Sequence, residues 1–167
     1  MRRREKGFSL IELLIVVAII LIIAAIAIPN LMSSRMAANE ASAAGSLRTV
    51  NTAEITYSTT WGTGFAPLAN LGGASPCTGS ANTACLIDDV LTTGTKSGYQ
   101  VTMGVPAALG TVAAPNVTYE VGAAPLAAGQ SGQRTFCSDQ SGVIRANVAG
   151  GAPPAACESA AAFLPIQ

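Results

Sequence analysis

The sequence contains no histidine, and only 11% of its 167 residues are charged. Without an imidazole, the Ser-His-Asp and Cys-His arrangements of nucleophilic catalysis are excluded, and the commonest protein metal ligand is missing. Residues 31–167 carry five basic and seven acidic residues, a net charge of minus two, which gives no electrostatic footprint for nucleic acid there. The four cysteines form no C-x-x-C pair, which argues against a zinc site. Asp88 and Asp89 are adjacent and therefore face different ways, whereas calcium asks for about six or more oxygen ligands. The chain is expected to be non-enzymatic, with no metal and no cofactor.

What it has instead is one long apolar run. From Phe8 to Ile28, twenty-one residues carry only Ser9 and Glu12 as polar side chains. As a helix rising about 1.5 Å per residue, this run matches the roughly 30 Å hydrocarbon core of a bilayer. Before it stand Arg2, Arg3, Arg4 and Lys6 against Glu5, four positive charges less one negative. By the positive-inside rule that end stays cytoplasmic and everything after Ile28 is exported. The exported side suits disulfide formation. A carboxylate inside a membrane run costs on the order of 2.5–3.5 kcal/mol at the helix centre and less near the end, so Glu12 calls for a partner.

Gly7-Phe8-Ser9-Leu10-Ile11-Glu12, after a short basic leader and before an apolar helix, resembles the processing signal of type IV pilins, a family that includes the pseudopilins of type II secretion. The resemblance implies cleavage by prepilin peptidase between Gly7 and Phe8, followed by N-methylation of Phe8. It gives Glu12 a role in subunit assembly and makes Pro29 the bend of the helix as it leaves the membrane. The match is strong over residues 5 to 30; beyond them it is to an architecture.

Physical chemistry gives the same roles a cause. Cleavage at Gly7/Phe8 creates an ammonium group four residues before Glu12, about one helical turn away. The helix dipole stabilises a negative charge at that end. In a bundle of identical helices, the ammonium of one subunit can meet Glu12 of its neighbour, so registers that pair them are favoured over those that leave charges unpaired. Glu12 would then pin the register. Two blander readings compete. A lone glutamate could snorkel to the headgroups, and Ala25-Ile26-Ala27 fits the cleavage site of an ordinary secretory signal. The length of the run, the presence of Glu12 and the helical sequence beyond it disfavour the second.

After Pro29, which removes a backbone donor and clashes one turn back, the pattern predicts helix again from about Leu31 to Tyr57. Ala43, Leu47, Val50, Glu54, Tyr57 and Trp61 recur at spacings of three and four, one face for packing on a globular domain. Gly62, Gly64 and Pro67 end the helix. Leu86–Leu91 reads as a short helix or strand. Strands are predicted at Gly98–Val105, Asn116–Val121, Arg134–Ser138 and Val143–Val148, with a tight turn at 139–142. Asn116-Val117-Thr118 matches an N-glycosylation sequon but is read as strand sequence.

Cys77, Cys85, Cys137 and Cys157 permit three pairings, of which the sequence-local one is simplest. The family resemblance also favours a Cys137–Cys157 bridge closing a C-terminal surface loop. The expected fold is α+β: a long N-terminal helix, half membrane and half amphipathic, packed on a small antiparallel sheet in the lollipop form of pilins. The segments are a basic leader at 1–7, a transmembrane and filament-core helix at 8–28, an amphipathic helix at 29–61, and an exported domain at 62–167. The resemblance implies a structural subunit of a helical homo-oligomeric filament serving adhesion, motility, DNA uptake or a similar task. Its expected partners are prepilin peptidase and the inner-membrane assembly platform. Before assembly the subunit would lie in the inner membrane, with its C-terminal domain periplasmic. The alternatives are a type II secretion pseudopilin and a membrane-anchored or secreted binding module that forms no filament.

Overall fold

The computed structural model describes residues 8–153, 157 and 160–166. The leader and Gly7 lie outside the described residues. The chain divides into two units, Met1–Arg35 and Met36–Gln167. Helix α1 (Leu10–Trp61) contributes to both.

In the first unit α1 starts where the Ser9 carbonyl accepts hydrogen bonds from the backbone N–H of Glu12 (3.1 Å) and Leu13 (3.2 Å). Pro29 lies within α1 rather than before a second helix at Leu31. Proline lacks the N–H that would bond one turn back. Just beyond it, the Ser33 hydroxyl donates to the carbonyls of Pro29 and Asn30, and the Ser34 hydroxyl donates to that of Asn30.

In the second unit the spacing of apolar residues on α1 decides the packing. Ala43, Leu47, Val50 and Tyr57 are buried in one cluster with Tyr99, Val101, Val121, Ala123, Phe136 and Ala146 of the sheet. Trp61 is half-buried and lies over Tyr57, with ring centroids 4.7 Å apart. The helix stops at Gly62, whose φ of +66° is the left-handed conformation that glycine adopts without steric cost. Two short helices follow, α2 (Leu68–Leu71) and α3 (Asp89–Thr92). Asp88 caps α3 by accepting from the Leu91 N–H, and it pairs with Lys96. The ammonium of Lys96 holds the Asp88 carboxyl below the ordinary carboxylate range.

The sheet is a six-stranded antiparallel meander in sequence order: β1 (Thr95–Lys96), β2 (Tyr99–Val105), β3 (Glu120–Pro125), β4 (Thr135–Asp139), β5 (Arg145–Asn147) and β6 (Leu164–Pro165). Helix and meander together make the α+β class. Three strands fall close to the predicted runs; β3 begins four residues later than expected. The cause is Asn116, which is claimed by the turn after α1. Its N–H donates to Thr63 O (3.1 Å), its carbonyl accepts from Phe65 N (3.0 Å), and its side-chain amide donates to Phe65 O and Ala108 O. That commitment takes the sequon asparagine out of the ladder and occupies its amide nitrogen.

Alternation along the strands sends Tyr99, Val101 and Val121 toward α1 and Thr135, Cys137 and Asp139 to the opposite face. All five residues of β4 are buried, so its outer face is covered too. The cover is the C-terminal segment. Cys137 is bonded to Cys157, the Thr135 hydroxyl donates to Gly151 O, Glu120 accepts from the Cys157 N–H (2.8 Å), and Pro153 sits where a side chain at Gly122 would go.

Candidate assembly segment and its surroundings

The segment that sequence reasoning marks for assembly is a bare apolar helix. Every large hydrophobic side chain from Phe8 to Met32 is exposed, with fractional exposures between 46% and 80%. By length and composition the helix can cross a membrane. At about 25 cal/mol per Å² of apolar surface, such a segment is unfavourable in water and demands lipid or protein around it.

Within this segment Phe8 and Ser9 precede α1, and Glu12 stands in its first turn, exposed. The first amides of a helix have no carbonyl partner within it, so the site carries partial positive charge. A carboxylate placed there and a nearby N-terminal ammonium would be electrostatically complementary. Gly7, the other half of the expected cleavage site, lies outside the described residues.

The cysteines pair as Cys77–Cys85, eight residues apart, and Cys137–Cys157, twenty apart. Cys77 is exposed and Cys85 half-buried, whereas Cys137 and Cys157 are buried beside Phe163.

Two carboxylates of α1 escaped sequence reasoning as site residues. Glu40 accepts from the N–H groups of Gln133 (2.9 Å) and Arg134 (3.0 Å) with one oxygen and from Arg134 Nε (2.8 Å) with the other. Burial opposes its ionisation, but these donors outweigh burial and leave its pKa below the ordinary value. Next to it, Asn39 donates to Ser131 O (2.8 Å). The pair clamps the β3–β4 connection to the helix. Its partners are more than ninety residues away in sequence, so no local pattern announces it. Glu54 did leave a signal, as the one charged residue in an otherwise apolar stripe.

A helix whose large apolar side chains from Leu10 to Met32 are exposed, joined to an α+β unit with two disulfides, points to a class of chain completed by lipid or by other chains. Comparison with known proteins finds similarity in the N-terminal segment. Residues 2–28 match the prokaryotic N-terminal methylation motif. The type IV wide pilus major component PilA4 of Thermus thermophilus is 63% identical over 38 residues, which cover 23% of this chain and 29% of that protein. The type IV major pilin protein PilA of Myxococcus xanthus is 46% identical over 54 residues, covering 32% of this chain and 24% of the relative. The matches thus span about a quarter of the length of these relatives. No solved structure matches the chain. The N-terminal segment of the chain is thus similar to those of type IV pilins.

Proposed function

We propose that this protein is a structural subunit of a type IV pilus filament. The observation that carries the reading is the segment from Phe8 to Ile28, apolar except at Ser9 and Glu12 and with its large side chains exposed. Such a surface is satisfied first by the bilayer and then by a bundle of the same helices. Lipid tails and protein cores are similarly apolar, so transfer from one to the other is driven by packing and by charge pairing.

In this reading the leader, residues 1–7, is removed by prepilin peptidase, and Phe8 becomes the N-methylated terminus. The precursor lies in the inner membrane with its leader cytoplasmic and its C-terminal domain outside. Residues 8–28 span the membrane and later form the filament core. Residues 29–61 carry the helix from a bend at Pro29 into the exported domain, and 62–167 form the outer surface. The assembly platform extracts the subunit, and Glu12 pairs with the N-terminal ammonium of a neighbour. Both named relatives are major pilus components, which favours a filament over a monomeric anchor.

Immunogold labelling of native cells with antibody against the exported domain tests the reading. Gold is expected along the length of surface filaments. Label confined to the cell envelope, on cells that bear filaments, would show that the protein builds something else.

A further inference from the structure

Glu54 is fully buried at the end of α1, and nothing in the assembly reading uses it. One oxygen, Oε2, accepts the Ala66 N–H at 3.0 Å, and the other, Oε1, has no hydrogen-bond partner among the described residues. A buried carboxylate normally collects several donors or a cation. Glu40, on the same helix, does so with two amides and a guanidinium. Glu54 has one amide, and no ion pair reaches it among the described residues. This environment suits a neutral acid.

The surroundings contain little else that titrates. The turn after α1 (62–67), α2 and the loop 106–118 hold no acidic, basic or tyrosine side chain. On α1, Tyr57 stands one turn along and donates to Ala81 O, and Arg48 is exposed. From the lead into β3 comes Tyr119, which interacts electrostatically with Glu54 and donates its hydroxyl to Asn51 (3.0 Å). Asp139 of β4 acts on Tyr119 and is paired with Arg145 of β5. Both acidic neighbours disfavour a phenolate, and Tyr119 is pushed well above the ordinary phenol value by burial first and by Glu54 and Asp139 after it. Among these groups Glu54 is the carboxyl with a single amide donor and an unpartnered oxygen among the described residues.

The turn it holds is tied to a larger piece of surface. Ala66 follows Phe65 and Gly64, and Asn116 bonds to Thr63 and Phe65, bringing the 106–118 loop with it. Close approach makes this fit tight: a Cβ at Gly64 would fall 2.1 Å from Asn116 O. Thr63 Oγ1 is a second buried oxygen without a partner, so the turn is not fully satisfied in its closed form.

We propose that Glu54 is a proton-operated latch, which when neutral seals the 62–67 turn and when ionised releases that turn together with the 106–118 loop tied to it by Asn116. Burial raises the Glu54 pKa to about 7, against the opposing hydrogen bond from Ala66. A raised carboxyl pKa means the closed form is favoured while the acid is protonated. That advantage is complete below the ordinary value of 4.5 and is lost as pH climbs to about 7, above which it stays lost. The device is independent of filament assembly and would give an exported surface a response to acidity.

The test is amide hydrogen exchange on the full-length chain in dodecyl maltoside micelles between pH 5 and pH 8, corrected for intrinsic exchange. The opening constant of the Ala66 and Asn116 amides is expected to rise roughly fortyfold between pH 5 and 7 and only about twofold more by pH 8. In Glu54→Gln, which keeps the shape without the charge, it is expected to stay flat. The single tryptophan, Trp61, gives a second readout: its emission should titrate in the same range in the wild type. A flat wild-type profile, or the same rise in Glu54→Gln, overturns the latch. Where that variant fails to fold, the wild type decides alone. Equal rises at Val121 and Phe136 would show global destabilisation and also overturn it, whereas a rise confined to the turn and its loop supports it.

Discussion

Glu12→Ala is expected to leave synthesis, export and disulfide formation unchanged while lowering incorporation into surface filaments on the order of a hundredfold. The magnitude follows from the cost of an unpaired charge in an apolar environment, on the order of 2.5–3.5 kcal/mol, at about 1.4 kcal/mol per factor of ten. The substitution removes the carboxylate and strands the neighbour's N-terminal ammonium, so the penalty recurs at every contact between successive subunits. Quantifying sheared filament protein against total membrane-associated protein reads the effect. Glu12→Gln separates charge from size. It should fail almost as badly as alanine, because its amide carries no charge to offset the ammonium. Wild-type filament yield from Glu12→Ala would end the register role assigned to this residue.

The second large effect concerns stability. Replacing Cys137 and Cys157 by serine is expected to destabilise the second unit by about 3 kcal/mol, the chain-entropy value for a loop of some twenty residues. For a domain of this size that corresponds to roughly 10 °C in Tm. The loss should exceed that for Cys77 and Cys85, whose loop is shorter. It also frees the segment that covers the outer face of β4, where the Cys157 N–H reaches Glu120 and Thr135 reaches Gly151. Buried polar groups left behind there add to the cost. Differential scanning calorimetry of the two double variants compares the bridges directly. A difference of only about 0.8 kcal/mol, the chain-closure value for loops of these two lengths, would mean that the C-terminal cover contributes nothing further.

Both expectations rest on features that differ in how far the sequence announces them. The helix was legible because Ala43, Leu47, Val50 and Tyr57 repeat at helical spacing over four turns. The strands were legible where apolar and polar residues alternate, as in Tyr99-Gln100-Val101-Thr102-Met103. Where tertiary contacts compete with local pattern, legibility failed. Val117 and Tyr119 alternate like a strand, yet Asn116 is recruited to the turn at 63–66 and the ladder starts only at Glu120. Strands of two residues, such as β1 and β6, have no period to detect. The Glu40 clamp depends on partners in the β3–β4 connection, more than ninety residues along the chain. Glu54 could be noticed as an interruption, but whether it lies bare or neutral is a property of packing. The apolar segment was the most legible part, because a membrane-length run with one carboxylate has no amphipathic face and stands apart from the rest of the helix.

Mass spectrometry of the N-terminal peptide, on membrane-associated protein from its native host, tests the pilus-subunit account most directly. A chain beginning at N-methylated Phe8 is the predicted result, since only that cleavage places an ammonium one turn from Glu12. A chain beginning at Ile28, or one retaining Met1 in cells with active prepilin peptidase, would contradict it.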